Sequence, residues 1–136
     1  MKTPRLSART RRAFTLLEMT IVILVLITLL STGLFVSKKV DEWKLGRQAA
    51  ESLRSVYSAQ RMYLADNPTA SVSSLTSALL IPYLPNQATS IPTVKSLVGT
   101  TLTIIITVMP PVVNAGSGTT YDPSGNSKDS LWDVGE

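Results

Sequence analysis

The sequence of 136 residues contains no cysteine and no histidine. The lack of cysteine excludes disulfide bonds, thiolate metal sites and a cysteine nucleophile. The lack of histidine excludes imidazole metal ligands and the Ser-His-Asp triad. Charged residues are also scarce, at 16% of the chain, against about 25% in an average soluble domain. Because no pair of catalytic carboxylates stands out either, we predict that the protein is not an enzyme.

Positive charge is concentrated in the first twelve residues. Five of the thirteen basic residues lie there, which leaves eight basic against nine acidic side chains in the rest of the chain. The five are Lys2, Arg5, Arg9, Arg11 and Arg12. Nucleic acid could bind such a segment, but a basic segment directly before an apolar one is more typical of a membrane-topology signal, so we assign no nucleic-acid partner.

Residues 14–36 form the one long apolar run, with Glu18 as its single charged residue and no proline. As a helix these 23 residues would extend about 35 Å, enough to cross a hydrocarbon layer of about 30 Å. The basic residues before the run outnumber Lys38 and Lys39 after it, which favours a cytoplasmic N-terminus. We therefore predict a single membrane span, with the chain after about residue 37 on the opposite side.

The helix is expected to continue beyond the span. From Val36 to Asp66 the sequence has no proline and a single glycine, Gly46, and Asn67-Pro68 supplies the stop. Apolar or small residues recur there at helical spacing. They are Val36, Val40, Trp43, Ala50, Leu53, Tyr57 and Leu64. We expect this stripe, with Trp43 and Tyr57, to pack in the core.

The remaining residues predict a small α+β head. Residues 71–80 favour a short helix and residues 82–86 a turn. The alternation over residues 101–109 predicts the clearest strand, preceded by a strand near 92–97 and a turn at 98–100. Its core-facing side chains would be Leu102, Ile104, Ile106 and Val108. Residues 114–135 are rich in Gly, Ser and Asp and are expected to be mostly loop, with Trp132 packed on the small core.

Glu18 is the most informative residue of the apolar run. A carboxylate near the centre of a membrane span costs at least about 2.5 kcal/mol on insertion scales, so such a residue usually has a partner. The run itself contains no lysine or arginine. A cut before Phe14 would create an amine four residues ahead of Glu18, and the amine of a neighbouring copy could then pair with this carboxylate.

The junction resembles the N-terminal segment of the type IV pilins and of the pseudopilins of type II secretion systems. The similarity covers residues 9 to about 36: a short basic leader, the small residue Ala13, the sequence FTLLE at 14–18 and about twenty apolar residues. It implies that a prepilin peptidase cuts between Ala13 and Phe14 and methylates the new amine of Phe14. It also implies that Glu18 acts in assembly.

Two departures from the family pattern bear on the assignment. The residue before the cut is usually Gly, whereas this chain has Ala13. Type IV pilins often carry a proline in the span and a C-terminal disulfide, and this chain has neither. Both absences favour a pseudopilin over an adhesive pilin.

The resemblance implies a pilin-like lollipop of α+β class. Its parts would be a leader (1–13), a transmembrane and polymerisation helix (14–36), an amphipathic continuation (37–67) and a small head (68–136). The implied function is that of a structural subunit of a type II secretion pseudopilus, which drives protein export. Implied partners are the peptidase, other pilin-like subunits, a membrane platform protein, a cytoplasmic ATPase and membrane lipid. The implied location is the bacterial inner membrane with the head in the periplasm, followed by a periplasmic filament.

Two alternatives remain open from the sequence. One is a type IV pilus subunit, such as a minor subunit, that serves adhesion, motility or DNA uptake. The other is a membrane-anchored periplasmic domain that never polymerises, either uncut or cut near Gly33, where Ser31-Thr32-Gly33 resembles a signal peptidase site. Glu18 argues against the second alternative, since an ordinary signal sequence has no use for a buried carboxylate.

The C-terminal loop contains Asp122, Asp129 and Asp133. Some pseudopilins bind calcium in such a loop, and hard cations favour carboxylate oxygens. The spacing here does not fit the twelve-residue EF-hand loop. We interpret the three aspartates as solvated turn residues and predict no cofactor and no committed metal site, with calcium at this loop as the open alternative.

Overall fold

The computed structural model describes residues 15–135, and its first element is the long helix α1, Leu16–Asp66. The end at Asp66 confirms the predicted stop. The backbone N–H and the side-chain amide of Asn67 both donate to the Tyr63 carbonyl, at 2.9 and 3.0 Å. These two bonds satisfy a carbonyl at the helix end, and Pro68 cannot continue the ladder. The predicted start at Phe14 lies outside the described residues.

The chain divides into two compact units, one ending at Lys38 and the other beginning at Lys39. In the first unit, α1 exposes nearly every large apolar side chain, with Leu16 86% and Leu30 71% accessible. This helix is long and apolar enough, by length and composition, to cross a membrane, and none of its apolar window is buried. The sequence predicted a helix of sufficient length and apolar character over residues 14–36, and the described part of that run, residues 15–36, has both.

The second unit combines the C-terminal part of α1 with short elements. The helix α2 covers Ser77–Leu80, within the segment predicted to be helical. The strands are β1 (Val94–Lys95), β2 (Thr101–Leu102), β3 (Ile104–Ile105) and β4 (Val112–Val113). They form two antiparallel two-stranded sheets, β1 with β2 and β3 with β4. A long helix with two small antiparallel sheets is an α+β fold, as predicted.

The predicted strand over residues 101–109 is shorter than expected and is divided at Thr103. The division arises because β2 pairs with β1, through Val94 and Leu102, whereas β3 pairs with β4, through Ile104 and Val113. Ile104 is buried and Leu102 is half-buried, as the alternation predicts. Val108 is 42% exposed, so its predicted place in the core is wrong. It lies beyond the end of β3, where no ladder holds the alternation in register.

The core of the second unit is built on a face of α1 made mostly of small residues. The buried positions recur every three or four residues: Gly46, Ala49, Ala50, Leu53, Val56, Ala59 and Gln60. Leu80, Val94, Ile104 and Val113 pack against them from the short elements. Because so few large side chains project from the helix, the short elements approach its backbone closely.

The predicted helix stripe is partly wrong. Ala50 and Leu53 are buried as predicted, but Trp43 is 56% exposed and Tyr57 is half-buried. Both rings lie at the edge of the buried face, and each has an arginine one turn later stacked over it. The guanidinium carbons of Arg47 and Arg61 are 5.8 Å from the ring centroids. The aromatic rings therefore carry cation–π contacts at the surface rather than core packing.

The C-terminal segment packs over Gly46 of α1. Trp132 is 3% exposed, as predicted, and its backbone N–H donates to the Gly46 carbonyl at 3.2 Å. A Cβ at Gly46 would lie 2.9 Å from Nε1 of Trp132, so only glycine permits this approach. Arg54 adds a second tie, since its Nε donates to the Val134 carbonyl at 2.8 Å.

Gln60 is the one fully buried polar side chain on this face of the described helix. Its Nε2 donates to the carbonyl of Ile106 at 2.8 Å and to that of Val108 at 3.0 Å. These two carbonyls follow β3 and have left the sheet ladder. The amide of Gln60 therefore donates to two backbone carbonyls that would otherwise lack the partner that a neighbouring strand provides within a sheet.

Candidate assembly site

Glu18 lies in the first turn of α1 and is bound reciprocally by Thr15. The Thr15 backbone N–H and hydroxyl donate to Oε2 of Glu18 at 3.1 and 3.3 Å. The Glu18 backbone N–H donates in return to the Thr15 hydroxyl at 3.2 Å. This arrangement is a capping box, in which Thr15 satisfies a free N–H of the first helical turn. The negative carboxylate also lies at the positive end of the helix dipole.

The carboxylate of Glu18 keeps one oxygen available. Both hydrogen bonds from Thr15 go to Oε2, and Oε1 accepts none from any residue in the 15–135 range. The side chain is exposed, as are its neighbours Leu16, Leu17 and Met19. A carboxylate with a free oxygen thus lies at the start of an uncovered apolar helix. It can accept a further donor without giving up its bonds to Thr15.

The other predicted site residues are Ala13 and Phe14, which lie outside the described residues. Thr15 is the residue of this candidate site that sequence reasoning missed. Its signal was present, because Thr15-x-x-Glu18 directly before an apolar run is the sequence signature of a capping box.

Asp122 and Asp129, two of the three C-terminal aspartates, each accept hydrogen bonds from the residue two positions later. Oδ1 of Asp122 accepts the backbone N–H and hydroxyl of Ser124, at 3.1 and 2.7 Å. Oδ1 of Asp129 accepts the Leu131 N–H at 2.9 Å. Over residues 15–135 there is no group of three or more His, Cys, Asp or Glu side chains that could hold a metal ion.

Asp133 differs from the other two aspartates because both its carboxylate oxygens are buried and lack hydrogen bonds within the described chain. Burial raises the pKa of this carboxyl, and the negative charges of Asp129 and Asp122 add to the rise. The backbone N–H groups of Gly135 and Ser130 oppose it without reaching hydrogen-bond geometry. The carboxylate form is therefore disfavoured where it stands.

Comparison of the chain with protein-family models, with curated proteins and with solved structures finds no match.

Proposed function

We propose that the protein is a structural subunit of a type II secretion pseudopilus, made as a membrane-anchored precursor and assembled into a periplasmic filament that drives protein export. In this proposal residues 14–36 span the bacterial inner membrane with the N-terminus in the cytoplasm. The second unit then lies in the periplasm. The protein has no catalytic role, and its work is mechanical.

The observation that carries the proposal is the position of Glu18. A single carboxylate, with one oxygen free of hydrogen bonds among the described residues, lies at the start of an exposed apolar helix. In hydrocarbon such a charge is costly unless an opposite charge reaches it. The segment 14–36 has no basic residue of its own, so the partner has to come from elsewhere.

The proposed partner is the amine of Phe14 on an adjacent copy. A prepilin peptidase would cut after Ala13, free this amine and methylate it, and the amine would then donate to the open Oε1 of Glu18. In a medium of low dielectric constant the attraction offsets part of the burial cost of both charges. The uncut precursor has an amide rather than an amine at Phe14, so leader removal would license assembly.

The rest of the first unit supports the same proposal. Its uncovered apolar side chains suit lipid before assembly and the apolar helices of other subunits afterwards. The proposed partners are therefore the peptidase, homologous and identical subunits, a membrane platform protein and the cytoplasmic ATPase that drives extraction.

The decisive experiment is the intact mass of the protein extracted from membranes of a strain that carries a prepilin peptidase, compared with a strain that lacks it. We expect a mature chain that begins at Phe14 and carries one added methyl group, and the full-length chain in the peptidase-deficient strain. A mature chain that begins at Thr32 or later would overturn the proposal in favour of an anchored or secreted domain that never polymerises.

A further inference from the structure

The backbone of residues 130–135 contains two conformations that residues other than glycine rarely adopt. Ser130 has a φ of 60° and Trp132 a φ of 67°, both in the left-handed region that favours glycine. For a bulky residue such as tryptophan this conformation is a genuine outlier. Residues 130–135 belong to no helix or strand of the described chain, so no regular backbone pairing imposes it. We call residues 130–135 the clasp.

A buried charge adds a second cost to the clasp. Both carboxylate oxygens of Asp133 are buried and have no hydrogen bond within the described chain. The charged groups that act on this carboxylate are those of Asp129 and Asp122, which repel it. Arg54 of α1 reaches the clasp at the carbonyl of Val134 rather than at the carboxylate. The closed clasp therefore combines a strained backbone with an unpaired charge.

Two hydrogen bonds and a buried ring oppose these costs within the described chain. The Trp132 N–H donates to the Gly46 carbonyl at 3.2 Å, at the long end of the usual range, and Arg54 donates to Val134. The Trp132 ring is 3% exposed and packs edge-on against the Tyr121 ring, with the centroids 5.1 Å apart. Burial of this ring is therefore the main force that keeps the clasp closed.

We propose that the clasp opens and closes over Gly46 while the rest of the second unit stays folded. Both the strain and the unpaired charge lie within residues 130–135, so release of this segment alone relieves both. Segments with few backbone pairings open locally in this way, at a lower free energy than global unfolding. The clasp is thus a cover that controls access to the surface of α1 at Gly46. The inference concerns the second unit alone and does not depend on the proposed function.

Amide hydrogen exchange of the full-length chain, isotope-labelled and kept in detergent with a metal chelator, tests the proposal. The reporter is the Trp132 N–H, which is bonded to Gly46, and the reference is the N–H of Val56 on the buried face of α1. We expect Trp132 to be at least about a hundredfold less protected than Val56, because its exchange requires only local opening. Its rate should also change little in dilute urea, since local opening exposes little surface.

Three variants should shift the opening in opposite directions. Ser130→Gly removes a left-handed penalty that exceeds the entropy glycine adds to the open clasp, so exchange at Trp132 should slow about two- to fivefold. Asp133→Asn removes the buried charge at neutral pH and should also slow this exchange. Arg54→Met breaks the hydrogen bond to Val134 while it keeps a long side chain, and it should speed the exchange.

Ser127→Gly is the matched control, because Ser127 is exposed, lies outside the clasp and is not left-handed. It should leave exchange at Trp132 unchanged. Equal protection of Trp132 and Val56 would overturn the inference, because the clasp would then open only with global unfolding. Ser130→Gly that slows exchange no more than Ser127→Gly would overturn it as well, since strain would not drive the opening. Protection of Trp132 that changes only when calcium is added would overturn it in favour of a loop held by an ion.

Discussion

Thr15 and Glu18 bind each other through three hydrogen bonds at the start of α1, with only Oε2 of the carboxylate engaged. Glu18 therefore has two separable properties. Its side chain caps the helix through Oε2, and its charge and its free Oε1 are open to a partner. The cap requires a side-chain oxygen at position 18, whereas the pairing requires a negative charge, so conservative substitutions can separate the two properties.

Glu18→Gln and Glu18→Ala test the charge against the cap. Glutamine can complete a capping box without a charge, whereas alanine removes both the cap and the charge. If the charge docks the Phe14 amine, both variants should be cut normally after Ala13 and both should lose filament or secretion output. Leader removal is read by gel shift and output by the filament or secretion assay. Normal output from Glu18→Gln would show that the cap, and not the charge, is what assembly needs.

Thr15→Val and Thr15→Ser test the cap alone. Serine retains the hydroxyl that binds Glu18, and valine has a similar shape without it. Loss of a helix cap costs about 0.5–2 kcal/mol. We expect Thr15→Val to reduce output partially and Thr15→Ser to leave it near the wild-type level, with the leader removed in both. Equal output from the two variants would show that the hydroxyl does not position Glu18.

Gly46→Ala tests the close approach of Trp132 to α1. The added Cβ would meet Nε1 of Trp132 at 2.9 Å and the Leu131 side chain at 3.2 Å, and it would displace the C-terminal segment. Overpacking of this kind costs about 1–3 kcal/mol, or roughly 4–8 °C in Tm for each kcal/mol in a unit of this size. Thermal unfolding of the full-length chain in detergent measures the effect.

Gly33→Ala is the matched control for that variant. Gly33 has no atom within 4 Å of an added Cβ, and alanine favours the helix by about 1 kcal/mol. We expect no loss of Tm in the second unit. A Gly46→Ala protein that unfolds at the wild-type temperature would contradict the packing of Trp132 on the glycine.

Gln60→Leu tests the donors that Gln60 provides to the chain after β3. The substitution leaves the carbonyls of Ile106 and Val108 without a donor, and each unsatisfied group costs about 1–3 kcal/mol. We expect a lower Tm, partly offset because the unpartnered Oε1 of Gln60 is removed as well. Gln48→Leu, an exposed position on the same helix, should change Tm little. Equal Tm values for the two variants would exclude a structural role for the Gln60 amide.

Part of this fold is predictable because local chemistry decides it. Asn67-Pro68 ends α1 whatever packs on it, and Ala50 and Leu53 are buried because their spacing suits one helix face. Trp43 was misassigned because hydrophobicity alone favours burial, whereas the core face is selected by how closely other segments approach small residues such as Gly46. Only the folded chain shows that approach.

The strands and the candidate site also contain features that the local sequence did not reveal. The partner of β3 is Val112–Val113, directly after Pro110-Pro111, and nothing local distinguishes so short a strand from a loop. Glu18 stood out by its charge alone in an apolar run. Thr15 did not stand out, although residues 15–18 carry a capping signature. The whole segment was interpreted as a membrane span, so its helix cap was not considered.

Asp133→Asn tests the buried carboxylate near the C-terminus. The pKa of Asp133 is raised above its usual value of 3.8, chiefly by burial, so the folded state holds this proton more tightly than the unfolded state. The folded state is therefore increasingly penalised as the pH rises from 3.8 to the folded-state pKa, because the unfolded chain gives up this proton more readily. Asparagine carries no charge at any pH and therefore avoids this penalty. We expect Asp133→Asn to raise Tm at pH 7 and to match the wild-type protein at a pH below 3.8.

The control for this pH dependence is Asp41→Asn, which removes an exposed carboxylate that only pairs with Lys44 at 3.5 Å. Exposed pairs contribute about 0–1 kcal/mol, so its Tm should follow the wild-type value at both pH values. The difference in Tm between Asp133→Asn and the wild-type protein is then the quantity to follow, since other carboxylates titrate in both. A difference that stays constant from pH 7 to below 3.8 would mean that asparagine acts through packing or a new hydrogen bond. A lower Tm at pH 7 would mean that the charged form of Asp133 is stabilised in the folded protein, contrary to its buried position.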